Sequence, residues 1–181
     1  MSDEVMIVPY DAEWPILFAR LGCALRAALG DVALRIDHIG STSVPGLDAK
    51  PIIDVQVSVA AFEPLDAYRG PLESLGYEFR ADNTERTKRY FRESPGGRRT
   101  HIHVRRAGSF SEQFALLFRV YLRAHAEDAR RYAKVKNRLA EAYRHDRHGY
   151  TDAKIPHVWQ IMAKADRWSQ EVGWEPGPTD A

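Results

Sequence analysis

His38-Ile39-Gly40-Ser41-Thr42-Ser43, followed by Lys50-Pro51-Ile52-Ile53-Asp54-Val55-Gln56-Val57, is the stretch on which the fold turns. Residues 33–40 alternate as a short strand does, and residues 40–47 break that alternation with Gly40, Pro45 and Gly46. Residues 51–59 are a second, β-branched run in which Asp54, Gln56 and Ser58 share one face while Ile53, Val55, Val57 and Val59 share the other. A Gly-Ser at a strand end lets backbone amides and hydroxyls approach a phosphate, because glycine removes bulk and each exposed N–H is a donor aimed at an anion. Asp54 on the neighbouring strand then stands where a divalent cation bridges carboxylate and phosphate. As a bare pattern, the same residues also describe an ordinary turn.

Outward from this stretch the periodicity changes twice. Residues 13–29 place Trp14, Leu17, Phe18, Leu21, Leu25 and Leu29 at three- and four-residue steps, which predicts an amphipathic helix ended by Gly30. Residues 62–76 predict another, with a break or kink at Gly70-Pro71, before a strand at 77–80. Residues 89–93 and 100–105 are strand-like runs joined through Pro95-Gly96-Gly97, a hairpin signature. From Ser111 the pattern is helical, in segments 111–124, 127–146 and 152–170, with Gly149 as a break and Thr151 or Asp152 as the last cap. The expectation is one α+β domain over residues 1–181: a small mixed sheet within 1–108, helices over 109–170 and a frayed tail at 171–181.

Composition bounds the classes that remain. With 181 residues, 44% of them hydrophobic and 28% charged, the chain has the make-up of one ordinary globular domain. The single cysteine, Cys23, excludes an intramolecular disulfide framework and a cysteine-based zinc cluster, which suits a cytoplasmic setting. The acidic opening MSDEVMIVPY is no secretory signal, and no run approaches the ~18 apolar residues of a membrane span. Net charge is +1, yet residues 80–106 carry nine Lys/Arg against three Asp/Glu and residues 119–147 carry nine against four. The molecule is therefore polarised, with a cationic face suited to phosphate or another anion, or else a helix surface laced with arginine. Near-neutral total charge and the lack of a recognised binding motif argue against nucleic acid as the principal partner.

The strings HIGSTSVPGL and KPIIDV, with RTHIHV downstream and YLRAH, KNRLA and YTDAK in the helices, resemble the GrpB family over roughly residues 7–166. GrpB proteins are similar in fold to the nucleotidyltransferase superfamily, where a Gly-Ser motif holds nucleotide phosphates and an Asp-x-Asp/Glu pair on the next strand binds metal. The resemblance thus implies a nucleotidyltransferase-like fold, with Gly40 and Ser41 at the phosphate and Asp54 as the first metal carboxylate. It departs at the second carboxylate, where Gln56 stands. A neutral amide ligates a divalent ion far more weakly than the carboxylate of two-metal phosphoryl transfer. The superfamily's third acidic position falls where this chain has Thr100-His101-Ile102-His103-Val104. In some bacteria a similar domain is fused to dephospho-coenzyme A kinase, which implies a nucleotide or phosphate context.

His101 and His103 lie two apart on a predicted strand, so both imidazoles leave the same face, as do Asp54 and Gln56 on theirs. If those faces coincide, Asp54, His101 and His103 are candidate metal ligands and catalytic groups. One carboxylate with two imidazoles suits Mn, Fe, Ni or Zn better than Mg. The alternative is a histidine pair hydrogen-bonded in a polar cleft or touching phosphate directly. Thr42 and Ser43 either join Ser41 at the phosphate or tie down the loop. Lys50 is a phosphate ligand or a surface lysine. Lys136 interrupts an inward stripe of Tyr132, Leu139 and Tyr143, so its charge must snorkel out or find an anion. Tyr150 and Lys154 stand four apart near a helix start, where amides and a lysine make a phosphate site. Lone His38 reads as structural, and only one of Arg89 and Arg92 can face the site.

Three functional readings follow. The first is a nucleotide- and divalent-metal-binding protein (Mg or Mn) that transfers a nucleotidyl or phosphoryl group to a small acceptor. The second is a non-catalytic nucleotide- or anion-binding module, and the third is a His/Asp transition-metal protein. None calls for an organic cofactor.

Overall fold

The computed structural model describes residues 4–181. The chain runs α1 (Glu13–Leu29), β1 (Arg35–Ile39), β2 (Ile53–Val59), α2 (Asp66–Ser74), β3 (Tyr77–Phe79), β4 (Arg89–Glu93), β5 (Thr100–Arg106), α3 (Phe110–Ala124), α4 (Ala126–Ala142) and α5 (Arg147–Val172). The five strands form one mixed sheet in the order β1-β2-β5-β4-β3, in which β2 and β5 are parallel and the other neighbours antiparallel. This is the expected α+β architecture.

Strand alternation divides the sheet into two chemically different faces. Ile36, Val55, Val57, Ile102, Val104 and Phe91 project to one side and pack with Trp14, Phe18 and Leu25 of α1 and Tyr68 and Leu72 of α2. His38 belongs to this apolar side: it is buried, stacks on Phe18 at 4.7 Å, and its Nε2 is 3.0 Å from Thr42 Oγ1. Burial pushes its pKa down to about 4, so it is a neutral, structural histidine. The opposite face carries Asp37, Asp54, Gln56, His101, His103 and Tyr90 in adjacent register. A second core, built from Leu117, Tyr121, Leu122, Tyr132, Ile161 and Met162, holds α3, α4 and α5 together beyond that polar face. A cleft between a polar sheet face and a helical layer is the consequence.

Three local expectations change. Helix α2 is shorter than residues 62–76 and passes through Gly70-Pro71 without a break, with Pro71 inside it. Helix α4 ends at Ala142, and α5 begins at Arg147, not at 152. Asp146 is the cap in place of Thr151 or Asp152, its carboxylate accepting the Gly149 N–H at 2.8 Å. Gly149 is therefore the residue that makes room for the cap, since a Cβ there would collide with the Asp146 carboxylate and the Tyr143 ring.

Residues 177–181 lie along the edge of β1. β1 is a sheet edge, and the backbone groups it turns away from β2 have no strand partner. Thr179 Oγ1 accepts the Ile36 N–H at 2.9 Å, and the Asp180 carboxylate accepts the His38 N–H at 2.9 Å and pairs with Arg119. Arg35 donates to the Gly177 carbonyl at 2.6 Å. No helix of the described residues is long and apolar enough to cross a membrane.

Candidate functional site

The parallel pairing of β2 with β5 sets Asp54 opposite His101 and Gln56 opposite His103, so the two strand faces coincide and these four side chains share one. Asp54 Oδ1 lies 3.3 Å from His101 Nδ1 and 3.2 Å from His103 Nε2, and one ligand atom from each residue falls within 4.8 Å of the others. Two atoms bound ~2.1 Å from one ion are about 3.0 to 3.4 Å apart in octahedral and tetrahedral geometry respectively. The two Asp54–histidine separations match that spacing, and one carboxylate with two imidazoles is a set that could hold a divalent transition-metal ion.

The protonation states agree with that fit. Burial opposes charge on Asp54, but hydrogen bonds from His101 and His103 and their positive potential outweigh it and hold the carboxyl well below the usual carboxylate range. Burial pushes His103 down to about 4 despite Asp54 beside it. Both directions hold together, because a neutral imidazole still donates a ring N–H to an ionised carboxylate. At neutral pH Asp54 is charged and His103 neutral, and an ion there would require the ring nitrogen facing Asp54 to be the unprotonated one.

Gly40 closes one side of the triad. Its φ of +73° is open to glycine, and a Cβ would sit 2.6 Å from Asp54 Oδ2. Ser41–Ser43 then form a single 3-10 turn. Gly40, Ser41 and Thr42 all line the cavity in front of Asp54, and Thr42 is also tied down, donating to the Ile52 carbonyl at 3.1 Å. Ser43 stands apart from them. It does not line the cavity; its hydroxyl donates to the Gly40 carbonyl at 2.6 Å, and its own carbonyl accepts from Arg123. Ser43 shapes the turn.

The cavity has a volume of about 470 Å³ and also takes in Lys50, Lys136, Tyr150 and Lys154, so ten of the eleven expected site residues meet there. Lys50 Nζ is 4.1 Å and Lys154 Nζ 5.4 Å from the centre of the Tyr150 ring, and Lys136 Nζ is 4.9 Å from that of Tyr132. Lys136 does not snorkel to solvent. It is 2% exposed and donates to the Asp48 carbonyl. Burial, with Lys154 adding repulsion, lowers it to about 7, and burial also lowers Lys154. Burial raises Tyr150 to about 12. Asp54 is the one carboxylate among the described lining residues, against Lys50, Lys88, Arg105, Lys136, Arg147 and Lys154.

Lys88, Arg105 and Arg147 were not singled out from sequence. Arg105 is in strand phase with His103, a signal sufficient to find it. Arg147 was hidden by the misplaced start of α5. Of the hairpin arginines, Arg92 shares the face of His101, while Arg89 lies over the Phe62 ring at 4.3 Å on the other side.

A family model described as GrpB protein matches residues 4–164. The chain belongs to the GrpB family. It is 40% identical to the UPF0157 protein PA4798 of Pseudomonas aeruginosa, over 91% of this chain and 69% of that one. It superposes on the crystal structure of the conserved protein GrpB from Enterococcus faecalis with a TM-score of 0.82 and 33% identity, over 90% of this chain and 99% of that one. A dephospho-CoA kinase of Mycolicibacterium paratuberculosis is 31% identical over 95% of this chain, which spans 48% of that protein's length. Cid1 in complex with its short product ApU aligns with a TM-score of 0.50 and 17% identity, over 74% of this chain and 43% of that one, which shows a common nucleotidyltransferase-like fold. The GrpB chain thus has the expected family and fold.

Proposed function

We propose that this GrpB protein binds a phosphate-bearing ligand, a nucleotide foremost, together with one divalent metal ion, and presents it to a small acceptor for nucleotidyl or phosphoryl transfer. One observation carries the reading: a single cavity holds an Asp54-His101-His103 donor set beside the Gly40-Ser41 turn, with six cationic side chains around one carboxylate. Asp54, His101 and His103 would hold the ion. A divalent ion there would polarise a phosphoryl oxygen. Lys50, Lys136 and Lys154 line the same cavity, where an entering anion would favour their charged forms, and the Tyr150 ring lies against Lys50 and Lys154. Gln56 is fully buried and outside the cavity, so the site offers one carboxylate where two-metal enzymes use several. Relatives named dephospho-CoA kinase set a similar domain in a chain that handles a phosphorylated coenzyme.

Calorimetric titration of chelator-treated protein with Mn, Zn and Mg tests the donor set. The expected result is one ion per chain, Mn or Zn binding about tenfold or more tighter than Mg, and no binding by Asp54→Ala. Equal affinity for Mg, or undiminished binding by Asp54→Ala, contradicts the assignment.

A further inference from the structure

On the polar face of β2 the residue after Asp54 in phase is Gln56, and both ends of its amide are engaged. Its Oε1 accepts from Arg105 Nη1 at 2.6 Å, and its Nε2 donates to the Glu112 carbonyl at 3.5 Å. Gln56 is thereby fixed away from the cavity, while Arg105, two residues beyond His103 on β5, lines it. Arg105 Nε is buried without a hydrogen-bond partner among the described residues. A buried donor left unmade is costly, and one at a cavity wall is satisfied when an acceptor enters.

The identity of residue 56 decides what Arg105 can do. A carboxylate at this position would pair with the guanidinium and cancel its charge. The neutral amide oxygen orients the same group without adding a negative charge to those of Glu85, Asp54 and Glu112, whose fields already reach it. Transfer at phosphorus needs positive charge on more than one side of the reacting group, and a guanidinium can supply what a second metal supplies elsewhere.

We propose that Gln56 holds Arg105 as the second cation of the site, so that a guanidinium and one metal ion together clasp the phosphate. This rests on the reading of the cavity as a metal–phosphate site, and it turns Gln56 from a missing ligand into the clamp of a different arrangement.

The test uses Mn alone and inorganic pyrophosphate with saturating Mn, titrated into the wild type, Arg105→Met and Gln56→Glu, each first shown to be folded by its melting transition. Mn alone should bind both variants at least as tightly as the wild type, since each change removes net positive charge near the ion. Pyrophosphate should bind both variants about tenfold or more weakly. Loss from Gln56→Glu, which keeps Arg105 and the shape of the side chain that meets it at 2.6 Å, separates charge cancellation from damage to packing. Pyrophosphate affinity within twofold of wild type in both variants overturns the inference while leaving the metal–phosphate reading standing. Failure of the wild type itself to bind pyrophosphate with Mn overturns both.

Discussion

Lys136→Met will stabilise the ligand-free protein at pH 7 by about 2–4 kcal/mol and weaken phosphate binding roughly a hundredfold. Lys136 is 2% exposed, with the Asp48 carbonyl and the Tyr132 ring as contacts, and among the described residues no carboxylate forms a salt bridge with it, although the field of Asp48 reaches it. At ~1.4 kcal/mol per pH unit, a fall from 10.5 to about 7 means the folded state disfavours the charged lysine by ~5 kcal/mol. Methionine removes that burden but leaves the Asp48 carbonyl without its donor, at a cost of ~1–3 kcal/mol, and the difference sets the net gain. The sign of the pH dependence follows from linkage. Between pH 7 and 10.5 the unfolded chain keeps a proton that the folded chain has released, so wild-type stability rises with pH across that window. The variant lacks this contribution, and its advantage at pH 7 should vanish by pH 10. Urea unfolding of both proteins at the two pH values measures this directly. A variant less stable than wild type at pH 7, by a margin independent of pH, would show that Lys136 is a packing residue.

Gly40→Ala will abolish divalent-metal binding and destabilise the fold by about 3 kcal/mol. The backbone at Gly40 has φ +73° and ψ −174°, a region essentially closed to other residues, and occupying it costs ~1–3 kcal/mol. The added Cβ would also lie 2.6 Å from Asp54 Oδ2 and 3.1 Å from Asp54 Cβ, so the carboxylate must leave its place between His101 and His103. Gly46 provides the comparison. Its φ is +75°, and a Cβ there meets nothing within 4 Å. Gly46→Ala should therefore cost ~1 kcal/mol and leave Mn binding unchanged. Equal effects of the two substitutions on Mn binding would mean that Gly40 serves the turn alone.

The site was legible in sequence to the extent that its residues announce themselves locally. Period-two alternation showed that Asp54 with Gln56, and His101 with His103, each share a face, and a charge inside an apolar helical stripe marked Lys136. Coincidence of the two strand faces was not legible, because the parallel β2–β5 register is a long-range pairing between residues 53–59 and 100–106. Three consecutive hydroxyls look alike in sequence, and only the 3-10 turn turns Ser43 onto the Gly40 carbonyl. The start of α5 was missed because Asp146 with Gly149 reads as a loop, although the glycine is what admits the capping carboxylate. Glu175-Pro-Gly-Pro has the composition of a free end, and nothing local encodes that Arg35, Arg119 and the edge of β1 await it.

The most direct test of a metal–nucleotide cleft is the melting midpoint of the wild type and Asp54→Ala with a panel of nucleoside triphosphates, with and without Mn or Mg. Ligand at a hundred times its dissociation constant adds ~2.7 kcal/mol, equivalent to a shift of about 5–10 °C for a chain of this size. The account expects such a shift for wild type only when metal and nucleotide are both present, and none for Asp54→Ala. A folded wild type that no nucleotide shifts, with either metal, would contradict it.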